Sequence, residues 1–466
     1  MNDLASDQHN SSTQAQDAEE ARQLTAAEAL VLAEHDADKL VNLMADLHCG
    51  ELAQLLLACE DQDKRLQLFH FISDEQRGEV LLELPERVQE GLLSALAPRE
   101  IEAVVGPLDS DDAADILQAV DEAVAEQVIA NLEPEERREI EPLMAHDEES
   151  AGGLMQIELF KVRDDWPVSK VLEVLRRWGR EIENLNYVYV VDDEDKLLGS
   201  VPLYEMLFSD PDTLITEIID ANFPKAVAGQ DQEEVARMFD KYDVFALPVV
   251  DEAGVLVGRI TADDILDVVQ EEATEDMYRL AALSHQDDMA EPVRVTAWRR
   301  GVWLTVNLGT AILASFVIAQ FEATLASIVA LAILMPIVAS MGGIAGTQTL
   351  TVIVRGIALG RVNLETARRA LVKEVGVSAV TGVSFAIAMG WIASMWFPEI
   401  GYKLGGVIAA AMLINLLVAG LAGALIPLTL QRLSVDPALA SGTILTTVTD
   451  VVGFFAFLGL ATVFLL

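Results

Sequence analysis

The sequence predicts an α-helical membrane protein: five transmembrane helices joined to a cytoplasmic half made of an all-α superhelical N-domain and a tandem pair of small α/β modules. Three observations carry this. The 466 residues are 52% hydrophobic, yet they hold 75 acidic against 31 basic side chains, for a formal net charge of −44. The charge sits in one half: residues 297–466 contain nine Lys and Arg against six Asp and Glu, whereas the first 296 contain 22 against 69. Finally, an eighteen-residue pattern recurs at a constant offset of 59.

The first 24 residues are polar and read as a disordered tail. Residues 25–148 read as an acidic helical domain, with short amphipathic helices separated by Pro- or Asp-led turns, as in LLELPERVQEGLLSALAPREIEAVVGPLDSDDAADILQAV. Such close spacing fits helices stacked into a superhelix. The run Asp109-Ser110-Asp111-Asp112 reads as a helix start through N-capping.

Residues 190–207 (VVDDEDKLLGSVPLYEML) align without a gap on 249–266 (VVDEAGVLVGRITADDIL), with six of eighteen positions identical. The period fits a duplicated small α/β module better than a propeller blade. Each copy has a β-branched strand (187–191; 245–250), an acidic turn, a second short strand after Leu197 or Leu256, and a helix. A further helix precedes each, at 168–179 and 231–241. The pattern resembles a tandem pair of CBS domains, here 149–212 and 213–270, which are regulatory modules that pair across their sheets and often bind adenine nucleotides in the cleft. Gly258 to Asp264 matches the G-x-x-T-x-x-D element of such domains, so the resemblance implies that Thr261 and Asp264 hold the ribose of a nucleotide such as ATP, bound but not hydrolysed. The plainer reading is a helix cap by Thr261. The first copy carries Pro202 and Glu205 at the equivalent positions, which leaves at most one such site.

Five stretches are long enough to cross a bilayer core of ~30 Å, which takes about 20 apolar residues as a helix. They are 301–321, 323–354, 375–397, 404–431 and 437–466, and Asp450 is the one charged residue within them. The second is too long for one straight span, and Pro336 with Gly342, Gly343 and Gly346 predicts a kink or break there. Arg299 and Arg300, then Arg355, Arg361, Arg368, Arg369 and Lys373, then Arg432 fall on one side of the membrane; Glu322, Glu399 and Lys403 fall on the other. The positive-inside bias puts the acidic half in the cytoplasm and Leu466 at the outer face.

Several function classes are disfavoured. Cys49 and Cys59 are the only cysteines, and nothing at the N-terminus resembles a signal peptide, so a secreted disulfide scaffold does not fit. The acidic half would repel nucleic-acid phosphates, which makes cations the natural counter-ligand. The six histidines lack zinc spacing, no phosphate-cradling G-x-x-x-x-G-K run is present, and no nucleophile stands with a positioned base, so no enzyme is expected.

Asp450 is costly enough in an apolar span to be a functional residue by default. Thr446 and Thr447 lie one turn back on its face and Thr443 two turns back, making a polar stripe. Asn307 and Asn415 read either as pore-lining groups or, by preference, as interhelical hydrogen-bonding groups. A second cluster of acidic residues, Asp231, Glu233, Asp243, Asp264, Asp267, Glu272, Glu275 and Asp276, spans the second module and the segment after it. Glu272, Glu275 and Asp276 are spaced to share one helical face.

These pieces resemble the MgtE family of magnesium channels over nearly the whole chain after about residue 25. The resemblance rests on Glu149 to Met155 (ESAGGLM), the connecting segment EEATEDMYRL from Glu271, MPIVASMGGIAGTQ from Met335, and TTVTD from Thr446 to Asp450. One departure is Ile344, where many relatives have Asn after the paired glycines. The resemblance implies a homodimer of the inner membrane that passes Mg²⁺ through a pore domain, 297–466, in which the two Asp450 side chains meet at one axis. It also implies that Mg²⁺ bridges the regulatory carboxylates between N-domain, CBS pair and a connecting helix, 271–296, pressing that helix on the pore mouth. A CBS-regulated secondary transporter and a non-conducting cation sensor are the competing readings. Five spans do not divide into two equal inverted repeats, which weighs against the carrier.

Overall fold

The computed structural model describes residues 24–179, 182, 184–281, 283, 293–363, 366–433, 435–438 and 441–466. The expected N-terminal tail, apart from Leu24, and 282 and 284–292 of the expected connecting helix lie outside the described residues. Two compact units divide the chain, Met1–Leu266 and Asp267–Leu466.

The first unit opens with ten short helices: α1 (Ala26–His35), α2 (Ala37–Ala45), α3 (Cys49–Leu57), α4 (Gln62–Phe69), α5 (Asp74–Leu82), α6 (Glu86–Leu93), α7 (Pro98–Val105), α8 (Ser110–Gln118), α9 (Glu122–Asn131) and α10 (Pro134–Leu143). Their starts are written locally. Thr25 and Glu28 form a capping box, while Asp36 and Asp61 accept from the Lys39 and Lys64 N–H groups at 3.2 and 3.1 Å. Pro98 and Pro134 occupy first positions, where no N–H is needed. Each helix is too short to stand alone. Leu40, Leu52, Leu56, Leu68, Leu81 and Ile116, all without solvent exposure, weld them into one core.

Two α/β modules follow. The first holds β1 (Lys161–Arg163), α11 (Val168–Trp178), β2 (Tyr187–Val191), β3 (Leu197–Pro202) and α12 (Leu203–Phe208); the second holds β4 (Ala226–Val227), α13 (Gln232–Tyr242), β5 (Ala246–Val250), β6 (Leu256–Thr261) and α14 (Ala262–Leu280). Both sheets have the same order, a parallel pair and then an antiparallel one. The ladder slips at Val190/Val191 in one and at Val249/Val250 in the other. The acidic turns match as well. Asp192 accepts from the N–H groups of Glu194 and Lys196 at 2.8 and 3.0 Å, and Asp251 from those of Ala253 and Val255 at 2.8 Å each. Gly199 and Gly258 are equivalent too. A Cβ there would fall 2.4 Å from the Asp220 carbonyl oxygen or 2.9 Å from that of Gln156, so only glycine lets the neighbouring backbone pass. The duplication read at an offset of 59 is thus repeated down to bulge and turn.

The segment beginning at Glu271 has no helix start of its own: α14 runs unbroken from the end of β6 to Leu280.

The second unit contains α15 (Val293–Ala319), α16 (Glu322–Ser327), α17 (Val329–Ala358), α18 (Ala367–Trp396), α19 (Tyr402–Arg432) and α20 (Ser441–Leu465). All but α16 are long and apolar enough to cross a membrane. Within the described residues α15 is helical from Val293 and α18 from Ala367, each eight residues before the apolar stretches expected from 301 and 375. An apolar run measures the thickness of lipid crossed, whereas the hydrogen-bonded helix continues into the flanking arginines. The interruption expected at Pro336 falls instead at Ile328, which leaves helical geometry at φ −135°, ψ 87°. The following helix crosses Pro336 and the glycines intact; the missing N–H removes one ladder bond, a loss that membrane helices tolerate.

Helix α19 is the centre of the bundle, packed against α17, α18 and α20, while α15 leans on α20. Small residues set these distances. A Cβ on Gly405 would sit 2.4 Å from the Gly390 carbonyl oxygen.

Candidate functional site

Asp450 lies midway along α20 and is half-buried. Among the described residues no basic side chain faces it and no group donates to it. The threonines around it keep their hydroxyl protons for the helix: Thr446 donates to the Gly442 carbonyl at 2.9 Å, Thr447 to that of Thr443 at 2.7 Å, and Thr449 to that of Thr446 at 3.0 Å. Their oxygen lone pairs remain as acceptors. Thr443 and Thr449 are buried, Thr447 is half-buried, and Thr446 is exposed, so the predicted stripe narrows to Thr443, Thr447 and Asp450 on one flank.

The face of α17 turned away from Gly342 and Gly346 carries Ser340, Gly343, Ile344, Thr347, Gln348 and Thr351 along an open groove of about 670 Å³. Thr347 and Thr351 donate back to the Gly343 and Thr347 carbonyls at 2.9 Å each. Ser340 and Gln348 are exposed and have no hydrogen-bond partner among the described residues.

Asn415 of α19 ties the two helices together. It has no solvent exposure, its Nδ2 donates to the Val338 carbonyl at 2.9 Å, and its amide fills the gap between Gly342 of α17 and Gly453 of α20. This is the interhelical bond expected for it. Asn307 is half-buried on α15.

Glu374 was missed by the sequence reading, which began that span one residue later. It is 7% exposed and accepts from the Thr349 hydroxyl at 3.3 Å. The usable signal is a fourth-residue ladder of small groups, Ser378, Gly382, Ala386 and Gly390, that begins at Glu374 and buries the same stripe.

The acidic residues of the second module fall into three places. Asp231 caps α13, accepting from the Glu233 N–H at 2.9 Å; the Glu233 carboxylate stands 3.7 Å from Arg237; and Asp243 closes the other end of α13 in the left-handed region at φ 51°. Asp264 accepts from the Thr261 hydroxyl at 2.6 Å, so the two candidate nucleotide ligands turn toward one another as a cap on α14. Asp267 follows, exposed.

Around Asp264 the fold gathers carboxylates that the sequence had assigned to capping. Asp109 of the α8 start accepts from Gln156 at 3.5 Å, and Ser110 donates to Glu158 at 2.8 Å. Asp111 is 6% exposed, and burial raises its carboxyl well above the usual range, with Asp112 and Asp264 adding to the effect. Burial, then Asp264, pushes Asp112 up to about 7. Three aspartates within four residues, 109, 111 and 112, followed one turn on by Asp115, were the sequence signal.

In the second unit, Glu272, Glu275 and Asp276 share one stretch of α14, as their spacing predicted. Arg279 pairs with both Glu275 and Asp436. Burial raises the Asp276 carboxyl, with Asp436 and Glu272 adding to it and Arg355 and Arg279 opposing. Leu280 packs with Leu350, Val354 and Leu445. Among the described residues no three His, Cys, Asp or Glu side chains converge tightly enough to hold one metal ion. Mg²⁺ does not need such a cage, because it keeps several waters and binds through one or two carboxylates.

The chain matches the family described as a divalent cation transporter, MgtE, over residues 335–460; the MgtE intracellular N domain over 47–149; and the CBS domain over 151–210 and 215–271. It is 34% identical to the magnesium transporter MgtE of Thermus thermophilus, across 90% of this chain and 97% of that protein. It is 31% identical to the magnesium transporter MgtE of Bacillus subtilis, across 86% and 88%. A crystal structure of the cytosolic domain of the Mg²⁺ channel MgtE in complex with ATP aligns at 36% identity over 51% of this chain and 97% of that one, with a TM-score of 0.49. With five apolar helices, paired α/β modules and an acidic N-domain matched in the same order along nearly all of two transporters, this multi-pass membrane protein belongs to the MgtE family of magnesium transporters.

Proposed function

We propose that the protein is a homodimeric Mg²⁺ channel of the inner membrane, with its N-domain (25–148), CBS pair (149–212 and 213–270) and connecting helix (271–296) in the cytoplasm and its pore in 297–466. The observation that carries this reading is Asp450: a half-buried carboxylate in an apolar helix, with no counter-cation among the described residues and a flank of hydroxyl acceptors. Such a surface receives the protons of a hydrated cation, and two copies of the carboxylate match a divalent charge. Inward flow needs no coupled reaction, because two charges gain about 4.6 kcal/mol per 100 mV of membrane potential.

Closure by internal Mg²⁺ follows from linkage. Ions bound among Asp231, Glu233, Asp243, Asp264, Asp267, Glu272, Glu275 and Asp276 favour the compact form by their differential affinity for it. The cluster of Asp111, Asp112 and Asp264 adds support, since buried carboxylates at mutual repulsion are relieved by a cation. Thr261 and Asp264 remain the proposed ribose ligands for ATP, which would act as a regulator.

The test is Mg²⁺ flux into liposomes holding the purified protein. Asp450→Ala should lower flux by about tenfold or more while the protein stays in the membrane. Undiminished flux would remove Asp450 from the path, dependence on a counter-ion would indicate a carrier, and no flux in the parent protein would indicate a sensor.

A further inference from the structure

Asn415 stands where three membrane helices meet. It lies on α19 without solvent exposure, its Nδ2 donates to the Val338 carbonyl of α17 at 2.9 Å, and its amide rests on Gly342 of α17 and Gly453 of α20. A Cβ added at Gly342 or Gly453 would fall 2.2 or 2.7 Å from Nδ2, so the amide is the spacer between those two backbones. The bond to Val338 also fixes which way the amide faces, because a flipped amide would set two carbonyl oxygens against each other. Oδ1 is then left over, buried and with no hydrogen-bond partner among the described residues.

That orphaned oxygen argues against a bracing role alone. A buried acceptor without a donor weakens a fold, and one interhelical hydrogen bond inside a membrane strengthens it only modestly. What the amide supplies is a fixed thickness in a seam whose facing walls are both glycine. Those walls belong to the two segments that matter for transport. Val338 and Gly342 lie in the run MPIVASMGGIAGTQ, and Gly453 follows Asp450 by one helical turn, a separation of about 5–6 Å between neighbouring positions on a helix surface.

We infer that Asn415 is a positioning residue for Asp450: its amide sets the spacing of α17 and α20 one turn from the carboxylate, and through that spacing the affinity and selectivity of the carboxylate for a divalent ion. This rests on the pore reading given above. Without the amide, nothing keeps the two glycine faces apart, and a displacement of α20 by about 1 Å is enough to spoil a preorganised site. Mg²⁺ demands near-ideal geometry whereas Ca²⁺ accepts looser arrangements, so the displacement penalises Mg²⁺ more.

The experiment is Mg²⁺ and Ca²⁺ flux against ion concentration in liposomes at equal membrane content. The proteins are the parent, Asn415→Ala, Asp450→Ala, and Asn415→Ala combined with either Gly453→Ala or Asp450→Ala. Asn415→Ala should raise the half-saturating Mg²⁺ concentration about three- to tenfold and lower the Mg²⁺ to Ca²⁺ ratio, while lowering the unfolding temperature by no more than about 4 °C. Adding Gly453→Ala places a methyl group in the emptied seam and should recover most of the shift. Combined with Asp450→Ala, Asn415→Ala should shift nothing further. If Asn415→Ala does not insert, Asn415→Ser, which keeps a hydroxyl but not the volume, serves in its place with the same expected shift. A fall in maximal flux that tracks lost stability, with half-saturation and ion ratio unchanged, would make Asn415 a brace and overturn the inference. An equal shift in the Asp450→Ala background, or no recovery with Gly453→Ala, would overturn it too. Full flux in Asp450→Ala alone would instead show that the pore reading itself had failed.

Discussion

Between pH 4 and pH 7 the folded chain holds a proton that the unfolded chain releases. Asp112 titrates at about 7 in the fold, whereas an unfolded Asp titrates near 3.9. Stability therefore rises as pH falls through that window, and above about 7 the ionised carboxylate opposes the fold. Asp112→Asn should raise stability at pH 8 without divalent ions by about 1–3 kcal/mol and reduce the pH dependence. Thermal unfolding of the solubilised protein at pH 5 and pH 8 checks it; an equal loss in parent and variant would place the titration elsewhere. A steric prediction belongs to Gly342, where a Cβ would fall 2.2 Å from Asn415 Nδ2. Gly342→Ala should cost about 1–3 kcal/mol, read as a lower temperature for loss of monodispersity in detergent. The sequence displayed Asp450 because a charge in an apolar run stands out. It hid Asp111 and Asp112 because an acidic helix start reads the same whether it faces water or another domain.

Between α14 and the segment following α19, one guanidinium joins two carboxylates. Arg279→Gln removes the partner of both Glu275 and Asp436. The pair is a third exposed, so it contributes roughly 0.5–1 kcal/mol. Closing flux in liposomes should then take about two- to fivefold more internal Mg²⁺; an unshifted closing concentration would relegate the bridge to the surface. The strands, acidic turns and helices of both modules were legible from an eighteen-residue repeat, since Asp192 and Asp251 use the same turn chemistry; the ladder slips beside them were not. The break at Ile328 was not legible, because proline and glycine mark where a helix is free to bend, whereas packing decides where it does.

For the molecule as a whole, 22 basic against 69 acidic side chains in the first 296 residues create a long-range repulsion that salt weakens. The Debye length shrinks from about 10 Å at 0.1 M to about 3 Å at 1 M. If divalent ions compact this half by offsetting repulsion, the protection from trypsin given by Mg²⁺ should be large in about 50 mM KCl and shrink several-fold in about 500 mM. Removal of Mg²⁺ with a chelator should restore rapid cleavage at low salt. Protection that ignores salt would assign the effect to a few short-range sites. Charge segregation and span count were readable from composition, whereas the small-residue stripe below Glu374 needed the helix crossing to give it meaning.

The absence of a joint in α14 has a mechanical corollary. Nineteen residues of continuous helix make a rod of about 28 Å, rooted beside Thr261 and Asp264 and tipped by Leu280. A stiff rod converts angle into travel: rocking its root by about 10° would carry the tip through about 5 Å, a distance comparable to one helical pitch.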